Sequence, residues 1–206
     1  MNAGAGGLDV FYPILPSARW VARIVPLGVR CAQLRAKGLG PEETKREIRE
    51  SLAIAAQHRC QLIVNDYWRE AIELGAGFVH LGQEDLAGAD LDAIRAAGLR
   101  IGVSSHDERE LETALQMRPD YVALGPIYET KLKAMPWAPQ GLDRVTEWKR
   151  RIGALPLVAI GGLTLESAPA VIAAGADSVA VVTDVVAHFD PEARVRDWLA
   201  TFPAKG

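Results

Sequence analysis

The sequence predicts an α/β fold, a single (β/α)8 TIM barrel, on three observations. Short apolar runs rich in β-branched residues alternate with amphipathic stretches along the chain, which calls for parallel strands joined by helical crossovers. Eight such units fall within 206 residues, and a barrel of this kind occupies roughly 200–250. The turn after the first strand reads Leu15-Pro16-Ser17, without the glycine-rich loop that an open doubly wound sheet, the competing fold, usually carries there. One domain is expected over residues 1–206, with residues 1–8 loosely held.

The elements follow in order. The first strand is expected at 10–14 and the first helix at 17–25. Strands at 31–35 and 61–65 are followed by helices at 41–58 and 67–74. A strand at 78–80 leads to a helix at 91–97, and one at 100–104 to a helix at 107–116. The last three strands, at 121–124, 157–160 and 178–182, precede helices at 142–152, 164–173 and 191–202. Ser17, Asp107 and Thr164 can each accept from the free amides of a first helical turn. Gly75, Gly98 and Gly175 stand where a helix must end before the next strand. No linker, fixed-period repeat or low-complexity segment marks a second domain.

Composition narrows the partners. Hydrophobic residues make up 49% and charged residues 24%, the balance of an ordered globular protein. A formal charge of −3 gives no general attraction to nucleic acid or an anionic membrane, so anion binding must be local. Cys31 and Cys60 lack a CxxC spacing and read as buried free thiols in a reducing cytoplasm. The opening residues have no basic start before an apolar run, and no stretch is long enough to span a bilayer. Small-molecule substrates are the expected partners; a homo-oligomer is left open.

The working face of such a barrel lies at the carboxyl ends of its strands, and polar residues gather there. In Gln33-Leu34-Arg35-Ala36-Lys37 alternation puts Gln33, Arg35 and Lys37 on one side of an extended segment. A solvated pair is the plain alternative; a glutamine with two cations at one strand exit favours binding. Asn65-Asp66 reads either as a helix cap or as a ligand pair, and Asp85 either as a turn residue or as a ligand. At neighbouring exits, Asp66 and Asp85 together suit magnesium, which takes a couple of carboxylates plus waters and phosphate oxygens. Glu84 should point away if its segment is extended. Ser104 can donate to a phosphate, and His106 is open to a structural or a minor site role. The long segment 125–142 carries Lys131 and Lys133 and reads as a cover over an anion or as a surface loop. Ile160-Gly161-Gly162 and Val182-Thr183 end strands seven and eight, where barrels often build a phosphate cup from uncovered amides. Metal and cations converging suggest a diphosphate. No Ser-His-Asp arrangement is evident, which disfavours acyl transfer.

Taken together these motifs resemble the thiamine phosphate synthase family. The likeness runs from Phe11 to about Val186. It rests on Gln-Leu-Arg-x-Lys at 33–37, Val-Asn-Asp at 64–66, Val-His-Leu-Gly-Gln-Glu-Asp at 79–85, Gly-Val-Ser-x-His at 102–106, Gly-Pro-Ile-Tyr at 125–128, Pro-Gln-Gly-Leu at 139–142, Ala-Ile-Gly-Gly at 159–162 and Val-Ala-Val-Val-Thr at 179–183. The resemblance implies an enzyme that joins 4-amino-2-methyl-5-(diphosphooxymethyl)pyrimidine to a thiazole phosphate, often carboxylated, and releases pyrophosphate. It implies that Gln33, Arg35, Lys37, Asn65, Ser104 and Lys133 hold the pyrimidine diphosphate. Thr130, Gly162, Val182 and Thr183 would hold the thiazole phosphate, and Asp66 and Asp85 a Mg²⁺ ion.

Three positions depart from the family's usual pattern. Leu132 stands where a second loop threonine is common, Tyr67-Trp68 follow Asp66 where polar residues are frequent, and Asp184 follows Thr183 where a small residue is commoner. A carboxylate aimed into a phosphate cup would repel, so the Asp184 side chain is expected to turn away. Two other readings share the fold: a thiazole tautomerase, which needs no diphosphate, and a non-catalytic barrel that binds thiamine precursors.

Overall fold

A computed structural model describes residues 8–130 and 137–203. Eight parallel strands close into a barrel in sequence order: β1 (Phe11–Leu15), β2 (Cys31–Leu34), β3 (Gln61–Asn65), β4 (Phe78–Leu81), β5 (Arg100–Ser105), β6 (Tyr121–Leu124), β7 (Leu157–Ile160) and β8 (Ser178–Val181). The seam between β1 and β8 pairs Phe11 with Val179 and Pro13 with Val181. Alternation along each strand divides the core in two. Tyr12, Ile14, Cys31, Ile63, Phe78, Tyr121, Ala123, Val158 and Ala180 fill the interior. Their neighbours, among them Phe11, Leu34, Val64, Leu81, Val103 and Leu124, face the helices.

The helices are α1 (Ala18–Ile24), α2 (Pro41–Gln57), α3 (Trp68–Glu73), α4 (Gln83–Leu86), α5 (Leu91–Ala96), α6 (Glu108–Gln116), α7 (Gly141–Ile152), α8 (Ala168–Ala173), α9 (Thr183–Val186) and α10 (Pro191–Thr201). The side chains of Trp148 and Trp198 are fully buried, and Trp198 stacks on Phe11 at 4.9 Å and 15°. Such a pair adds about 1 kcal/mol beyond the area it buries, and it pins the last helix over the seam. Ser17 and Asp107 cap as expected, accepting from the amides of Trp20 and Glu110. Cys31 and Cys60 are both buried free thiols.

Leu8 is only 4% exposed and packs in the interior cluster; residues 1–7 lie outside the described residues. Two expectations fail. Thr164 caps nothing, because α8 begins at Ala168 after a turn in which the Ser167 hydroxyl donates to Thr164 O. Pro169 explains the delay: it has no amide and is tolerated only in a first turn. The chain after β4 is not extended. It enters α4 at once, so alternation does not send Glu84 away, and Glu84 lines the same mouth as Gln83 and Asp85.

Candidate active site

The floor of the barrel mouth is a chain of hydrogen bonds built from inward-facing strand residues. Gln33 Nε2 donates to Tyr12 Oη at 2.8 Å, and Tyr12 Oη lies 3.0 Å from Tyr121 Oη. Tyr121 Oη meets His80 Nδ1 at 2.7 Å, and His80 Nε2 meets Ser104 Oγ at 2.8 Å. One assignment leaves neither phenol hydrogen idle: each group donates to the next, from Gln33 through the two phenols and the neutral imidazole to Ser104. The Ser104 hydroxyl is then free to donate into the mouth. Burial raises both phenols well above the usual tyrosine range.

Burial also holds His80 down at a pKa of about 4, against 6.5 in water. A depressed histidine costs stability as pH falls, because between pH 6.5 and 4 the unfolded chain takes up a proton that the folded chain refuses. The expected loss is about 3 kcal/mol across that window. Urea titrations should show it, and His80→Asn should flatten the slope; equal slopes would mean that the imidazole charges in place.

The rim above this floor carries the charge. Arg35 and Lys37 continue the side begun by Gln33, while Leu34 and Ala36 turn to the helix layer, as alternation requires. Asp66 has a left-handed backbone, φ 66°, which aspartate adopts more readily than most residues with a Cβ. It is not a cap: α3 begins at Trp68, preceded by Tyr67, and has no side-chain cap. Its carboxylate instead accepts from Lys37 Nζ and lies near enough to Asp85 to perturb it. The pKa of Asp85 is raised, first by burial, then by the hydrogen bond and charge of Asp66, with Lys37 pulling it back. Among the described residues no group of three or more His, Cys, Asp or Glu could hold a metal ion, so a cation here would rest on two carboxylates and on oxygens from elsewhere.

Across the mouth lies a cup of backbone. Tyr128 N donates to Gly161 O at 3.0 Å, and Ile127 N to Ile160 O at 3.0 Å, which lays the segment after β6 along the exit of β7. That approach demands glycine. A Cβ on Gly162, whose φ is 70°, would lie 2.5 Å from Glu129 O and 2.8 Å from Tyr128 O. Gly161, Gly162, Val182, Thr183 and Thr130 line the mouth here, and α9 starts at Thr183. Asp184 turns away from it, as expected, into a contact with Arg194 and Trp198.

His106 sits at the rim. Its Nδ1 is 2.7 Å from Glu110 Oε2, and Trp137 stacks on its ring at 4.1 Å. Gln33, Asn65, Ser104, Thr130, His106 and the carboxylate pair thus line one cavity of about 410 Å³, a size ordinary for a small-molecule site. Lys133 lies outside the described residues. Sequence reasoning missed Tyr12, His80 and Tyr121 as parts of the floor; a polar histidine at an inward strand position was the available signal.

Fold and cavity define a (β/α)8 barrel with two cations and a carboxylate pair at its mouth. A model of the thiamine monophosphate synthase family matches residues 12–185. The chain is 60% identical over 193 residues to the thiamine-phosphate synthase of Rhizobium etli, covering 94% of this chain and 95% of that one. It is 50% identical over 190 residues to the enzyme of that name from Neisseria meningitidis serogroup B, covering 92% and 93%. In fold it resembles the thiamine phosphate pyrophosphorylase of Pyrococcus furiosus, with a TM-score of 0.81, 22% identity and 94% of each chain covered. The chain belongs to the thiamine monophosphate synthase family and is a transferase of that type.

Proposed function

We propose that the mouth joins 4-amino-2-methyl-5-(diphosphooxymethyl)pyrimidine to a thiazole phosphate, with or without a carboxylate, giving thiamine phosphate and pyrophosphate. One observation carries this reading: two cations and a carboxylate pair stand on one side of a cavity whose other side is a glycine-lined cup. That is two anion sites for two phosphorylated reactants. The bond from the pyrimidine methylene carbon to the diphosphate oxygen breaks, its electron pair leaving on oxygen. The lone pair of the thiazole nitrogen then forms the new C–N bond; a carboxylated thiazole also loses carbon dioxide, and its ring carbon takes up a proton from water in place of the carboxylate.

No nucleophile or strong base is asked of the protein. Gln33, Asn65 and Ser104 orient the pyrimidine diphosphate, while Arg35, Lys37 and (from the family resemblance) Lys133 meet the charge growing on the leaving group. Thr130, Gly162, Val182 and Thr183 hold the thiazole phosphate, and His106 has a minor role at the rim. Asp66 and Asp85 fit a magnesium ion: two carboxylates in mutual contact, one with a raised pKa, are a like-charge pair suited to a counter-cation. When bound, the ion supplies positive charge to the diphosphate oxygens. The bound site must also keep water from the reacting carbon. We assign the chain to the cytoplasm as one domain.

The test is a mixing experiment with the protein, both precursors and magnesium. Pyrophosphate release should require all of them. Release at an undiminished rate without the thiazole phosphate, or with the metal chelated, would sink the reading.

A further inference from the structure

We infer that Arg194, on α10 and outside the mouth, is a positioning residue that holds the two halves of the glycine cup at the separation needed to bind a phosphate. The inference rests on the reading of that cup as the thiazole phosphate site.

The cup is assembled from two segments that no ladder joins. The β7–β8 pairing ends at Ile160 with Ala180. Beyond it, one segment carries Gly161 and Gly162 and runs on to Glu166; the other carries Val182 and Thr183 and runs on to Asp184. The Arg194 guanidinium spans them. Its Nη1 and Nη2 donate to the Glu166 carboxylate at 2.8 and 2.7 Å. Its Nε and Nη2 donate to Asp184 at 3.0 and 2.7 Å. Trp198 Nε1 adds a bond to Asp184 at 2.7 Å. Two edges of one planar fork therefore grip two carboxylates, which an ammonium cannot do.

Burial shows where the constraint lies. The Arg194 and Asp184 side chains are 11% and 6% exposed, whereas Glu166 is 70% exposed. Arg194 holds Glu166 down at a pKa of about 2, so the link stays ionised through the neutral range. The guanidinium also has an electrostatic task. Asp184 directly follows Thr183, and an uncompensated carboxylate there would oppose an anion in the cup. Paired with Arg194, it anchors the turn with that repulsion reduced.

Backbone amides recognise a phosphate only within a narrow tolerance, so severing one limb of the clip should weaken that substrate selectively. Glu166→Gln is the clean test because the residue is mostly exposed, and a surface pair contributes little to folding. On charge alone, removing a negative group near an anion site should tighten phosphate binding. A geometric clip predicts the opposite sign. We expect KM for the thiazole phosphate to rise about tenfold, the scale of a small misplacement, with kcat and KM for the pyrimidine diphosphate within about twofold and the melting temperature nearly unchanged. Arg194→Lys, which keeps the charge and loses the fork, should do the same. An unchanged or lowered thiazole phosphate KM in both variants would overturn the proposal, as would parallel rises in both KM values, which signal general loosening. If the unmodified protein showed no saturable thiazole phosphate dependence, the reading of the cup itself would fall, and the clip with it.

Discussion

Asp66→Asn and Asp85→Asn are each expected to lower turnover by about two to three decades at saturating substrates, the size of losing one electrostatic stabiliser of a transition state. The argument is one of sign. Two carboxylates in contact repel, and Asp85 shows it in a pKa raised by burial and by Asp66. On the proposed metal role such a pair persists because a cation offsets that repulsion, and Lys37 already reaches Asp66. Removing one charge should therefore cost activity while sparing stability. The melting temperature of Asp85→Asn should stay level or rise, as when a strained site is relaxed. Pyrophosphate release followed against magnesium concentration checks both halves. Rates unchanged at saturating substrate would refute the metal role outright, and a matching loss of stability would show that the pair is a structural contact.

Much of this site could be read from strand exits alone. The Gln33, Arg35, Lys37 side follows from alternation, a purely local rule that survives folding. Asp66 and Asp85 were legible as residues closing neighbouring strands, and β3 and β4 do pair, Asn65 opposite His80. What local rules could not supply was conformation at the exits themselves. Gly82 turns the chain straight into α4, so an extended reading of Glu84 failed. The expected cap at Thr164 failed because Pro169 sets where α8 starts.

The floor was hidden for another reason. Tyr12 and Tyr121 occupy strand interiors where an aromatic residue reads as core, and they are core. That they also meet Gln33 and His80 depends on barrel stagger, which brings positions 12, 33, 80 and 121 to one level. Arg194 lay further still from view. Its partners belong to segments 10 and 28 residues away, and an arginine on an amphipathic helix reads as solvated surface.

Gly102→Ala should be the most damaging small substitution in the barrel. Glycine inside a strand often marks a close approach by another group, and here register shows which group. Gly102 pairs with His80 on β4 and with Tyr121 on β6. The missing side chain leaves the space through which the Tyr121 ring crosses to stack on His80, at 5.5 Å and 13°. A Cβ at position 102 would lie 2.6 Å from Tyr121 Oη and closer still to ring carbons Cζ and Cε1. The ring cannot retreat, since it is fully buried and packed against Phe78 at 5.5 Å. Overpacking of this kind costs about 3 kcal/mol, and for a chain of this length that lowers the melting temperature by about 6–12 °C. Activity should fall with it, because displacing the phenol breaks the donor chain that aims the Ser104 hydroxyl into the mouth. A double-mutant cycle separates the two effects. Tyr121→Ala should cost less in the Gly102→Ala background than it does alone, giving a coupling of about 1–3 kcal/mol between neighbours in contact. It should restore no activity, because the link from Tyr12 to His80 is then gone. A Gly102→Ala protein that melts within a degree or two of the unmodified chain would mean that the ring has room to move, and that the floor is looser than its hydrogen bonds imply.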